Sequence, residues 1–163
     1  MPDSTAVAMA WLAQKPETIF VGQAVGAGGI AMSESFVGVP AEKRIEFPVA
    51  EEFQVGWAIG MALEGFLPIC VFPRMDFMLR AADQIVHHLD RIPLYSDFNP
   101  KVIVRCLRGS TKPLNPGPQH DGDFTKAFRA MLRHVDVKMV DMKHPTKSYV
   151  QAYASPRSVI MVE

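Results

Sequence analysis

Two carboxylates stand side by side at Glu51 and Glu52, directly after the short run "RIEF" and before a long apolar stretch carrying Gly56 and Gly60. Acids in the first turn of a helix are favoured by its dipole, which alone would account for them. From Phe53 to Leu63, however, Gln54 is the only polar side chain, so the segment reads as a helix buried all round. A carboxyl at the mouth of such a helix is a candidate for burial. Burial disfavours the charged form and makes the group a candidate proton partner, although the dipole pulls the other way. His120 lies in the proline- and glycine-rich segment 109–122, "GSTKPLNPGPQHDG", between Gln119 and Asp121. Such a loop presents an imidazole to a ligand at little cost, but a solvated loop histidine fits the sequence equally well. His87 and His88 are adjacent on a helix and cannot share a face as metal ligands, so they read as partly exposed residues near a helix end. The segment 22–29, "GQAVGAGG", fits neither GxGxxG nor GxxxxGK[ST], which weighs against a phosphate cradle. Cys70 and Cys106 lack metal-ligand spacing and read as buried thiols of a reducing cytosol.

These groups must be positioned by the elements around them. Short β-rich runs recur at 18–22 (TIFVG), 44–47 (RIEF), 68–72 (PICVF), 101–106 (KVIVRC), 137–141 (VKMVD) and 158–162 (SVIMV). Most are continuously apolar, as strands covered on both faces are. Candidate helices lie between them at 4–14, 51–64, 76–90, 124–133 and 145–153, the last with proline in its first turn. Strands alternating with helices predict an α/β fold: a mostly parallel six-stranded sheet with helices on both faces. Ligands of such sheets bind beyond the carboxyl ends of the strands, where the loops 22–39 and 109–122 both fall. The first of these reads as a loop with a short helix.

The chain has 163 residues, one domain's length, and neither a repeat nor a linker divides it. Lysine plus arginine and aspartate plus glutamate number 17 each, so no global field draws it to nucleic acid or anionic lipid. The opening residues lack the pattern of a secretory signal, and no stretch has the ~20 apolar residues of a membrane span, so a soluble cytoplasmic protein is expected. Ten methionines and 48% hydrophobic residues are generous for a lone small domain and suggest apolar surface covered by another chain.

The stretch 44–89, "RIEFPVAEEFQVGWAIGMALEGFLPICVFPRMDFMLRAADQIVHHL", resembles the pyrimidine-binding domain of the transketolase superfamily. The likeness is strongest to the beta subunit of the decarboxylating component of 2-oxoacid dehydrogenases. The family pattern is matched by Pro48, Val49, Ala50 and Glu51, then Gly56, Ala58 and Gly60, the run Pro68, Ile69 and Cys70, and Phe72, Phe77, Ala81, Asp83 and Gln84. "ETIFVGQAV" is similar to the family's first strand, and "GPQHDGDFTKAFRAM" to its histidine loop and following helix. The resemblance implies thiamine diphosphate as cofactor, with Glu51 as the carboxyl that meets the aminopyrimidine ring and Glu52 as a structural neighbour. It implies that Phe77 packs on that ring, with Phe72 as core support, and that His120 lies near the thiazolium and substrate, so that Glu51 and His120 are the catalytic residues.

The departures shape what is expected of the whole. The acidic pair that follows the family's first strand is replaced by Gln23 and Ala24, and "TFN" in the Phe-rich turn by Arg74, Met75 and Asp76, which adds charge near the pocket rim. No GDG followed by asparagine, the family's signature for magnesium and diphosphate, occurs, so this chain is expected to hold no metal itself. The resemblance therefore implies a single pyrimidine-binding domain over 1–163, without diphosphate-binding or C-terminal domains. It would share thiamine diphosphate with a diphosphate-binding, alpha-type partner that holds magnesium, in a homodimer or heterotetramer, and would be inactive alone. The alternative is a non-catalytic binding or regulatory module that docks onto a host thiamine-diphosphate enzyme.

Overall fold

A computed structural model describes residues 3–28, 31–109 and 115–163. Six strands form one sheet in the order β2-β1-β3-β4-β6-β5: β1 (Thr18–Gly22), β2 (Arg44–Glu46), β3 (Leu67–Phe72), β4 (Ile103–Cys106), β5 (Asp136–Met139) and β6 (Val159–Val162). Every pairing is parallel, as the continuous apolar runs predict, and β3, β4 and β6 are buried along their whole length.

Helices cover both faces. On one lie α1 (Thr5–Ala13) and α7 (Pro145–Ala154), packed on Phe20, Ile69, Ile103 and Met161. The Ser4 side chain caps α1 by accepting the Val7 N–H at 3.3 Å, and Pro145 opens α7 where no helical N–H bond is lost. On the other face α3 (Glu51–Leu63), α4 (Met75–Met78) and α6 (Thr125–Met131) pack on Val21, Cys70, Val104 and Ile160. Two further short pieces among the described residues are α2 (Ala31–Glu34) and α5 (Ile92–Tyr95).

Two expectations are modified. The helix expected over 76–90 is broken: α4 gives way to a 3₁₀ turn at Leu79–Ala81 and a π-helical segment at Gln84–Leu89. And α3 is not buried all round. Glu51, Gln54, Val55, Ala58 and Ile59 face the core, while Phe53 is 57% and Leu63 41% exposed. Composition cannot distinguish a helix covered by its own domain from one whose outer apolar face is left for another surface. The glycine stripe divides in the same way. A Cβ at Gly56 would stand 3.5 Å from the Gln84 side chain, whereas at Gly60 it would meet open space.

The strand order reverses between β1 and β3, the two strands joined through β2 and α3. This is the switch point at whose carboxyl edge an open parallel sheet forms its crevice.

Candidate functional site

Four segments leave the carboxyl edge around this switch point. They carry Gln23 after β1, Glu51 after β2, Phe77 after β3 and the His120 loop after β4. Glu51 opens α3 and is only 3% exposed, so the first turn of a half-buried helix carries a carboxylate into the domain. Gln23 Nε2 donates to Glu51 Oε1 at 3.3 Å, and Arg80 Nε lies 3.5 Å from Oε2. Arg80 is 77% exposed, so the guanidinium reaches the acid from outside. Val49, Ala50, Glu52, Phe53 and Arg80 line with Glu51 a surface pocket of about 300 Å³. Glu52 is exposed on the outer side of the same turn, so the two adjacent acids differ sharply in burial.

Phe77 and His120 come together as a second pair. Their ring centroids are 5.1 Å apart at 66°, an edge-on contact between two half-buried rings. Both stand on the same sheet edge as Glu51, but no direct contact joins them to it among the described residues.

The first glycine-rich loop is occupied from within. Glu46 Oε1 accepts the Ala24 N–H at 2.7 Å, and Oε2 accepts those of Gly26 at 2.7 Å and Ala27 at 3.3 Å. The amides that would cradle a phosphate are turned to a carboxylate of β2; Gly29 lies outside the described residues. Gly22 begins this turn at φ +139°, and a Cβ there would lie 2.3 Å from the Val71 carbonyl oxygen. Ala24 follows at φ +66°, a conformation that costs a non-glycine residue about 1 to 2 kcal/mol. The turn sets Gln23 against Glu51.

Sequence reasoning passes over three of these roles. Gln23 reads there as a departure from the family pattern, not as a donor to Glu51. Glu46 has a legible signal, an acid on a short strand beside a glycine-rich loop. Arg80 has none, because nothing in the pattern distinguishes it from other surface arginines. His87 is exposed and its Nδ1 lies 2.6 Å from Asp83 Oδ1, one helical turn away, as its position near a helix end implied. Among the described residues no three His, Cys, Asp or Glu side chains converge on a metal-sized site, and no helix is long and apolar enough to cross a membrane. A larger groove of about 550 Å³ runs beside α1, but its walls, Val7, Trp11, Gln14, Val37 and Thr146 among them, hold no titratable side chain.

The described residues thus make a parallel α/β sheet with a buried acid at its switch point. Residues 4–137 match the family described as "Transketolase, pyrimidine binding domain", and the chain belongs to that family. It is 31% identical over 98 residues to the probable 1-deoxy-D-xylulose-5-phosphate synthase 2, chloroplastic, of Oryza sativa subsp. japonica, covering 59% of this chain and 12% of that protein. It is 33% identical over 89 residues to the pyruvate dehydrogenase E1 component subunit beta of Cyanidium caldarium, covering 53% of this chain and 27% of that one. The chain thus spans only a small part of these relatives. Among solved structures, "Split gene transketolase, inactive beta4 tetramer" superposes with a TM-score of 0.68 at 20% identity, covering 97% of this chain and 49% of that one, which shows the shared fold.

Proposed function

We propose that this chain is the pyrimidine-binding part of a thiamine-diphosphate enzyme of the 2-oxoacid dehydrogenase and transketolase type, and that it works with a partner chain. The observation that carries this is Glu51: a carboxylate 3% exposed, at the switch point, with a pocket at its mouth. Thiamine diphosphate, when bound, would supply the thiazolium carbon at which 2-oxoacid or ketose chemistry is done. The residues present fit its aminopyrimidine end. Glu51 would hold a proton against a ring nitrogen, its burial keeping water from competing for that hydrogen bond. Phe77 offers an aromatic edge or face, and His120, held against it, can orient or protonate groups near the reacting carbon.

The diphosphate and its magnesium fall to a diphosphate-binding, alpha-type partner, in a homodimer or heterotetramer. Two similar proteins support this, one named as a beta subunit and the other described as a split-gene transketolase. Two buried free thiols suit a reducing cytoplasm.

The test is Glu51→Gln in the assembled enzyme. Folding should be retained while hydrogen–deuterium exchange at the thiazolium carbon is lost, because an amide cannot carry the proton. Glu52→Gln should exchange nearly as wild type. Equal exchange rates in wild type and Glu51→Gln would remove the role from Glu51. That result would favour a non-catalytic module docking on a host enzyme, a role for which the partnering of both Glu51 oxygens by Gln23 and Arg80 also speaks.

A further inference from the structure

Asp76 joins the turn that carries Phe77 to the loop that carries His120. It stands in the first turn of α4, directly before Phe77, and both carboxylate oxygens lie 3.3 Å from the Gly122 nitrogen. The carbonyl oxygen of Gly122 accepts the Gly109 N–H at 3.0 Å, so this glycine is gripped by α4, which follows β3, on one side and by the segment after β4 on the other. The joint is tight. A Cβ at Gly122 would fall 2.6 Å from Asp76 Oδ1 and 2.4 Å from the Phe124 ring, and one at Gly109 would fall 1.5 Å from the Asp121 carbonyl oxygen.

Among the described residues, the other contacts between this loop's ends and the rest of the domain lie at its roots. Arg108 Nη1 donates to Asp123 Oδ2 at 3.0 Å, the Phe124 N–H to Met75 Sδ at 3.1 Å, and the Met75 N–H to the Leu107 carbonyl at 2.7 Å. His120 stands two residues inside this joint, with its own N–H given to the Gly117 carbonyl at 3.1 Å. Two half-buried rings meeting edge-on attract only weakly, too weakly to order a loop against the entropy of its backbone. Among the described residues, the hold at this end of the loop comes from the Asp76 carboxylate and the Gly109 N–H, the two partners of Gly122.

We infer that Asp76 is the positioning residue for His120: its carboxylate latches the Gly122 amide and so sets the imidazole against the Phe77 ring. The latch is a property of the loop geometry; only its use in catalysis rests on the function proposed above. The charge that Asp76 adds near the pocket rim is thereby spent on the loop, not offered to a substrate. A latch needs an acceptor atom and no negative charge, whereas an acid serving only the dipole of α4 needs the charge. The two accounts separate at Asp76→Asn, which keeps the acceptor and loses the charge.

The measurement is the nuclear Overhauser effect between the ring protons of His120 and Phe77 in the full chain without cofactor. It should be present in wild type and Asp76→Asn and lost in Asp76→Ala, with the sheet amides unshifted. Wild-type intensity in Asp76→Ala, or loss in Asp76→Asn, overturns the latch. Should Asp76→Ala fail to fold, hydrogen exchange at Gly122 in wild type decides: slow exchange supports the bond, and exchange at the rate of an unstructured peptide overturns it. Turnover by the assembled enzyme reads the function separately. Wild-type turnover in His120→Ala would end the catalytic role of His120 and leave the latch standing.

Discussion

Glu51 and Gln54 are neighbours on the buried face of α3, and they show how differently two polar side chains can be used inside one helix. Glu51 faces a pocket, whereas Gln54 is sealed: its Nε2 donates to the Val71 carbonyl at 2.9 Å and approaches Cys70 Sγ at 3.3 Å, while its Oε1 is buried with no hydrogen-bond partner among the described residues. Burial pushes the Cys70 thiol up to about 12, the nearby glutamine opposing this only in part, and pushes Cys106 up as well. Because the thiolate is the nucleophile, both cysteines should resist a thiol reagent at neutral pH in the folded chain and react fully in denaturant. Rapid labelling of either under native conditions would contradict this burial. The same shift carries a pH dependence. Unfolded thiols release their protons near the ordinary value of 9.0, the folded Cys70 thiol only near 12, so its contribution to stability is intact below pH 9 and is lost as the pH climbs from 9 towards 12. Glu51 was legible in the sequence because an acid beside an apolar helix contrasts with its surroundings. Its partners were not, since Gln23 and Arg80 are 28 and 29 residues from it and only the fold brings them near.

The strands were the most legible elements, because a strand covered on both faces writes itself as a continuous apolar run. The segment 75–89 was the least legible. Its apolar spacing is helical throughout, whereas its tertiary ties are not written locally: the Asp90 side chain, 3% exposed, accepts the backbone N–H groups of Arg133, His134 and Val135 and so ties the end of the π-helical segment to the start of β5. Another tertiary network was equally hidden. Arg105 on β4 is 3% exposed; its Nε and Nη2 donate to the two Glu163 oxygens at 3.0 and 2.9 Å, and its Nη1 to Ser35 Oγ at 2.6 Å. The Tyr149 hydroxyl donates to Glu163 Oε1 at 2.6 Å, so β4 and α7 converge on the residue that follows β6, and the segment after α2 joins them through Arg105. Removing the cation strands a buried carboxylate, which typically costs about 3 to 5 kcal/mol. Arg105→Met should lower the stability measured by urea unfolding by that amount, and Tyr149→Phe by only about 1 kcal/mol, one hydrogen bond's worth. A midpoint for Arg105→Met within error of wild type would mean that the network contributes nothing net.

The whole molecule leaves apolar surface on the side of α3. Phe53, Leu63, Phe66 and Leu79 are 57%, 41%, 42% and 41% exposed, and Gly60 opens a smooth place between the first two. A stable interface needs roughly 1,600 Å² in all, and a helix face of this kind is a natural nucleus for one. Sedimentation should therefore show self-association or capture of a partner chain, weakened by Phe53→Glu; a compact monomer at high concentration with no binding of apolar dyes would speak against it. The cofactor sets the sterner demand. Thiamine diphosphate carries its charge on the diphosphate, and holding that charge takes magnesium with oxygen ligands. Among the described residues no group of three or more candidate ligands converges, and the glycine-rich loop has given its Ala24, Gly26 and Ala27 amides to Glu46. On the proposed function, this chain would offer an aromatic ring at Phe77 and one carboxyl hydrogen bond at Glu51, together about 1 to 3 kcal/mol. That barely offsets the freedom lost on binding, so calorimetric titration of the cofactor with magnesium into the chain alone should show affinity weaker than about millimolar. Addition of a diphosphate-binding partner should bring the affinity to the micromolar range, because the diphosphate contacts then add to those of Glu51 and Phe77 on one ligand. Micromolar binding by the chain alone would place the diphosphate on this domain. The Glu46 carboxylate would then have to leave the loop amides, so Glu46→Gln, which relieves the competition, should tighten that binding further.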